Sequence, residues 1–293
     1  MPIPFVFGRE RGRFFFTLAP SEWRIHEIEG PNNHVFTVLP ALTEFGAAWA
    51  VGKTPVTNDQ YREFVQATRW REPLGEHLQG HGEAARWLGP FRPWEEKEFS
   101  SPDLPVVCVD LRDAVAYSEW LSRKGLSLWS LKIAVTPTEV WDFAAFGSPY
   151  PSFDRRTWLT GLIHDNSKAP AIVSMAPERS NRFGVIDLFG NVWEWTFGEY
   201  STPVVATEEQ YRSTMRNLQL RGGSFLDNLA KINPVLTAGA MRDGIETKHS
   251  DLGFRLAAEI PISDLPEDVV EKLRSTPLIQ KRDRGVQVGR SVA

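Results

Sequence analysis

Cysteine is nearly absent. Cys108 is the only one in 293 residues, so the chain can form no internal disulfide and no cluster of thiolates around a metal. An excess of either charge is missing too: 33 Lys and Arg against 37 Asp and Glu leave a net charge of −4. That balance gives no electrostatic reason to expect a nucleic-acid partner. No stretch approaches the ~20 consecutive apolar residues of a membrane span. The opening Met-Pro-Ile-Pro-Phe-Val-Phe-Gly-Arg-Glu-Arg lacks the long apolar run of a signal peptide. A cytoplasmic protein without a membrane partner is the expectation. Turn-formers and large rings are plentiful, with 11 Trp, 18 Phe and 21 Pro. They predict an aromatic, loop-rich core instead of a helical bundle.

The densest stretch is Asn181-Arg-Phe-Gly-Val-Ile-Asp-Leu-Phe-Gly-Asn-Val-Trp-Glu-Trp195. It has neither helical nor strand-like apolar period. Gly184 and Gly190 predict backbone turns at positive φ. Trp193 and Trp195 alternate with Glu194, which puts the rings on one face of an extended backbone and the carboxylate on the other. A buried acid there needs a cation or several donors. One solution is calcium, held by Asp187 and Glu194 with the carbonyls of Gly190 and Val192. The other is a Trp-rich turn whose acids cap backbone N–H groups.

Around this stretch, Arg13–Leu18 and His34–Leu39 read as strands bounded by prolines and glycines. Thr57 or Asn58 caps a helix carrying Tyr61, Phe64 and Val65 on one face. Asp110 caps another with a stripe of Ala114, Tyr117, Trp120 and Leu121, and Cys108 before it reads as a small buried hydrophobe. Pro137 starts a third helix and Gly147 stops it. Asp264–Leu273 is a fourth, capped and amphipathic. His77 and His81 with Glu83 form a His-x3-His-x-Glu pattern that could ligate iron or zinc on a helix. Gly75, Gly80 and Gly82 argue against a helix there, and the alternative is an exposed loop running to Trp94. Arg221 and Arg255 each need an acid such as Asp187 or Glu194. Asp227, Asn228, Lys231, Asn233 and Arg242 offer polar contacts for a charged ligand, or an ordinary surface ion-pair network. Gln280–Gly285 is of mixed charge and reads as flexible, or as a tail that docks a partner.

The 181–195 stretch resembles the Asn-x-x-Gly-Leu-x-Asp-Met-x-Gly-Asn-Val-Trp-Glu-Trp signature of the formylglycine-generating enzyme (sulfatase-modifying factor) family. Pro55-Val-Thr-Asn-Asp-Gln-Tyr61, Tyr117-x-x-Trp120, Pro137-Thr-Glu139, Arg221-Gly-Gly-Ser-Phe225 and Leu252-Gly-Phe-Arg255 match the same family in order, over about residues 35 to 258. The resemblance implies an α+β fold, a loop-rich variant of the C-type lectin fold. It divides the chain into an N-terminal strand extension (1–34), the family domain (35–259) and a C-terminal helix with a tail (260–293). It also favours the calcium reading of Asp187 and Glu194.

Family enzymes hold copper through two cysteines just after the Gly-Gly-Ser strand. Here the first position reads Asp227 and the second falls near Ile232, and residues 226–258 contain no cysteine. Copper and formylglycine generation are therefore not expected. Three readings follow from the resemblance. The preferred one is a non-catalytic module that binds a protein or small molecule through the 226–250 surface, as in the variable proteins of diversity-generating retroelements. The second is an iron-dependent oxygenase related to hercynine oxygenases, using His77 and His81. The third is another family enzyme acting on a tethered substrate. Both enzyme readings lack complete ligand sets.

Overall fold

The computed structural model describes residues 14–17, 23–43, 46–79, 86–125, 132–147, 163–173, 177–197, 218–229, 235–237, 246–275, 278–282 and 285–288. Its largest sheet draws on both ends of the chain. Strands β1 (Phe14–Thr17), β2 (Glu27–Glu29), β3 (Val35–Thr43) and β4 (Ala48–Gly52) come from the first fifty residues. The others are β7 (Lys132–Val135), β12 (Leu256–Ile260), β13 (Leu278–Arg282) and β14 (Gly285–Val288). The order is β14-β13-β1-β3-β4-β12-β7, with β2 also paired to β3. The register of β3 against β4 shifts between Val38 and Leu42, around Pro40, which has no N–H to give the ladder.

A second sheet runs β10 (Val235–Thr237), β9 (Leu218–Arg221), β8 (Trp193–Phe197), β11 (Leu252–Phe254). Here β8 is antiparallel to β9 and parallel to β11, so the strands from the Arg-Gly-Gly-Ser and Leu-Gly-Phe-Arg segments flank the Trp-Glu-Trp strand. A separate hairpin, β5 (Gly75–Gln79) with β6 (Arg86–Phe91), occupies part of the segment expected to be a loop. The Gln280–Gly285 stretch, expected to be flexible, contributes to β13 and β14. A ladder is built from backbone groups, which the mixed side-chain charge does not oppose.

Among the described residues, the four helices expected from the sequence form near their start and stop signals. Helix α1 (Asn58–Thr68) has a capping box: Gln60 N–H donates to Thr57 Oγ1, and Thr57 N–H donates to Gln60 Oε1. Helix α2 (Leu111–Gly125) opens on a reciprocal pair, with Asp113 N–H donating to Asp110 and Asp110 N–H to Asp113, both at 3.0 Å. Helix α3 (Thr138–Phe146) ends at Gly147, whose φ is 69°. Helix α4 (Glu267–Ser275) buries Val269, Val270 and Leu273. The main apolar cluster includes Tyr61 and Phe64 of α1, Tyr117 and Trp120 of α2, Trp193 and Trp195 of β8, and Phe254 of β11. Among the described residues no helix is long and apolar enough to cross a membrane.

Candidate functional site

Strand β8 puts Glu194 opposite Arg221 on β9 and Gly253 on β11, with Arg255 just beyond. Glu194 and Arg255 are both fully buried. Arg255 Nη2 donates to Glu194 Oε1 at 2.8 Å, and Nε donates to both carboxylate oxygens at 3.1 and 3.2 Å. Nη1 also donates to the carbonyl of Gly52, and Nη2 to those of Ile186 and Asp187. Trp141 Nε1 donates to Glu194 Oε2 at 2.8 Å. Burial pushes the Glu194 carboxyl above its usual range, while Arg255 and Trp141 pull it back.

Asp187 is taken by Arg179, through Nε and, at 3.0 Å, through Nη2, and it also accepts from Asn191 Nδ2. The two carboxylates of the calcium site expected from Asp187, Gly190, Val192 and Glu194 are thus each engaged by an arginine. Each carboxylate already has its own guanidinium and further donors, which satisfies the buried charge without a metal ion. Arg221 also chose differently: its Nε donates to Asp142 of α3 at 2.7 Å, not to Asp187 or Glu194. The expected turns at Gly184 and Gly190 are present, at φ 79° and 81°.

Asp227 follows the Gly222-Gly223 turn and is half-buried. Its Oδ2 accepts the backbone N–H of Ser224 at 2.9 Å and lies 3.0 Å from Ser224 Oγ. The same Oγ lies 2.8 Å from Asp251 Oδ2 and accepts from Leu226 N–H at 3.2 Å. A hydroxyl has a single hydrogen, so one of the two carboxyls must supply a proton of its own. Burial raises the Asp227 pKa too, but donors from Ser224 and from the Trp193 ring pull it back toward the ionised form. Asp251 is 6% exposed, and burial, with Asp227 adding to it, raises its pKa to about 7. Asp251 therefore donates to Ser224, which donates to Asp227. The sequence reading missed Ser224 and Asp251 as functional groups, although both sit inside the segments that carried the resemblance. Asn228 lies half-buried in the same turn. Lys231, Asn233 and Arg242 fall outside the described residues.

The hairpin β5–β6 walls a cleft of about 490 Å³ whose lining includes His77, Leu88, Phe91, Glu96, Phe99 and Lys168. Its floor continues into a small apolar cluster of Phe99, Val107, Cys108, Val192 and Phe225, with Phe91 and Leu226 packed against it. The cleft and the Asp227 turn thus share one apolar partition. His77 Nδ1 is 2.8 Å from Ser250 Oγ, a spacing that suits a nucleophile and its base. Ser250 is fully buried, however, which denies it an approach to substrate. His77 sits on a strand, not on a helix, and His81 lies outside the described residues. The helical i, i+4 face on which a His77–His81 iron pair depended is therefore not formed at His77. Among the described residues no group of three His, Cys, Asp or Glu side chains is placed to hold a metal ion.

The family described as the sulfatase-modifying factor enzyme 1-like domain matches residues 24–260. The chain belongs to this family. It is 27% identical over 285 residues to the formylglycine-generating enzyme of Mycobacterium tuberculosis, covering 76% of this chain and 91% of that one. It is 27% identical over 288 residues to inactive C-alpha-formylglycine-generating enzyme 2 of Mus musculus, covering 84% and 83%. Among solved structures, PvdO from Pseudomonas aeruginosa aligns with a TM-score of 0.51 at 19% identity, over 83% of this chain and 100% of that chain. That likeness concerns the fold.

Copper, the metal of the sulfatase-modifying factor oxidases, does not fit the residues present. Cu(I) prefers soft thiolates, and Asp227 offers a hard carboxylate already turned to Ser224 and Trp193. Cys108, the single thiol, is wholly buried, and burial raises its pKa, which disfavours the thiolate. No step through copper follows from this site.

Proposed function

We propose that this member of the sulfatase-modifying factor family is a non-catalytic binding module whose cleft at the β5–β6 hairpin receives a small molecule or a peptide segment. The observation that carries the reading is the cleft itself, concave, aromatic-walled and furnished with a few polar side chains, which is the usual make-up of a ligand site. The end of the 226–250 segment reaches it: Lys248 O accepts Glu76 N–H at 2.8 Å, Ser250 N–H donates to Glu76 O at 2.8 Å, and Ser250 stands behind His77. Residues 246–250 at the end of that segment and the cleft are then parts of one recognition face. Support for the non-catalytic half comes from Asp227, engaged with Ser224 in place of a copper thiolate. A relative of similar identity bears the name of an inactive formylglycine-generating enzyme.

The test is a fragment screen by ligand-detected NMR on wild type and on Leu88→Asp, which plants a charge on an exposed wall of the cleft. Hits that bind wild type and fade in the variant are expected. An absence of hits, or hits indifferent to Leu88→Asp, would sink the cleft reading. Oxygen consumption with Cu(I) and a cysteine peptide would sink the non-catalytic one.

A further inference from the structure

We propose that the cleft prefers ligands presenting an uncharged carbonyl or amide oxygen, which accepts from the Nε2–H of His77, over the corresponding carboxylates. The proposal rests on the reading of the cleft as a binding site and adds the chemistry of what enters it.

His77 is held in plane by aromatic contacts. Its ring stacks on Phe91 at 4.7 Å and 23°, and meets the edge of Phe99 at 5.5 Å and 81°. The ring lines the cleft while Nδ1 turns back to Ser250 Oγ. Ser250 is 0% exposed, and this contact is the one in which its hydroxyl takes part. If Nδ1 carried the imidazole proton it would donate to Oγ, and the serine hydrogen would be left without an acceptor and without water. Buried polar hydrogens are rarely abandoned in this way. Ser250 therefore donates to Nδ1, and in a neutral imidazole that fixes the remaining hydrogen on Nε2. Burial also lowers the His77 pKa, against a smaller pull upward from Glu96, so the ring is neutral at pH 7. The cleft offers a fixed N–H donor without a positive charge.

The lining points the same way. Among the described residues that line the cleft, Glu96 and Glu98 stand against one cation, Lys168. A carboxylate entering the cleft would shed water for a neutral donor beside a net negative edge, whereas an amide of the same shape meets the donor without that repulsion. Leu88, Phe91 and Phe99 give an apolar ring somewhere to lie.

Two measurements test this on the full chain. The ring-nitrogen ¹⁵N–¹H spectrum at neutral pH should show His77 with Nδ1 unprotonated and Nε2 protonated, and Ser250→Ala should erode that preference toward a tautomer mixture. Titrations with the matched probes benzamide and benzoate, and nicotinamide and nicotinate, should find each amide bound about tenfold or more tighter than its acid, which must shed more water and meets the glutamates' repulsion. His77→Phe keeps the stacking and removes the donor, so it should cut amide affinity by about tenfold. A proton on Nδ1, or acids that bind as well as amides in a Leu88→Asp-sensitive way, overturns this proposal and leaves the cleft reading standing. Binding of neither class overturns both.

Discussion

Replacing Asp251 with asparagine isolates the proton that the Ser224 geometry requires. Aspartate in an unfolded chain titrates near 3.9, while burial holds Asp251 at about 7 in the fold. The native state therefore binds this proton more tightly than the unfolded chain does. A raised pKa contributes stability that is fully present below about pH 4 and is lost as pH rises through about 7. At about 1.4 kcal/mol per pH unit, with the response flattening near 7, the wild type should lose about 2.5 kcal/mol between pH 5 and pH 8 from this group. Asp251 is 6% exposed, so solvent screens little of that. Asparagine keeps an N–H donor for Ser224 Oγ and cannot ionise. Asp251→Asn should accordingly gain on the wild type as pH rises, its advantage widening by about 2.5 kcal/mol between pH 5 and pH 8. Groups such as Glu194 that also titrate are present in both proteins and cancel in the difference. Urea unfolding at pH 5, 6.5 and 8 reads the gap directly, with matching m-values confirming that the same transition is compared. A gap that stays constant across that range, or closes as pH rises, refutes the shared-proton account.

Arg255→Met should leave the Glu194 carboxylate buried without its cation and cost about 3–5 kcal/mol, with Glu194→Gln added to it recovering part of the loss in thermal melts. Gly190→Ala should lower stability by about 1–3 kcal/mol, because φ is 81° and an added Cβ would lie 2.6 Å from the His164 carbonyl oxygen; equilibrium unfolding measures it. Melting temperatures in excess calcium and in chelator should agree, since Arg179 and Arg255 already satisfy Asp187 and Glu194. A calcium-dependent rise that Asp187→Asn abolishes would restore the metal.

Local chemistry made the helices legible. Thr57 with Gln60, Pro137 with Gly147 and the acids at 110 and 113 carry their own start and stop signals within a few residues. The need of Glu194 for a cation was legible, because a buried acid between two tryptophans must be compensated, but the choice of Arg255, 61 positions away, was left open. The partner of Arg221 was not legible, because Asp142 arrives on α3 from 79 positions away and nothing local selects it over Asp187. Positive φ could be read at Gly184 and Gly190, but not at Asp187 and Asn191, where φ is 56° and 59°; only the tolerance of Asp and Asn for that region hints at it. The His77 ligand spacing presupposes a helix, against which the nearby glycines already argued, and Gly75 opens strand β5 instead. The cleft was invisible altogether. Residues 77, 91, 99, 168 and 250 meet there only through tertiary packing, which leaves no period in the sequence.

The position of β12 has a consequence for how the chain is made. It lies between β4 and β7, yet it begins at Leu256, long after β4 ends at Gly52. During synthesis at about 5–20 residues per second, the edges of β4 and β7 wait for their shared neighbour, β4 for roughly 10–40 s. Its ladder partners lie far away in sequence, the arrangement associated with slow folding. Nascent chains should therefore stay protease-sensitive at β4 until the ribosome has passed Ile260, and depend on chaperones over that interval.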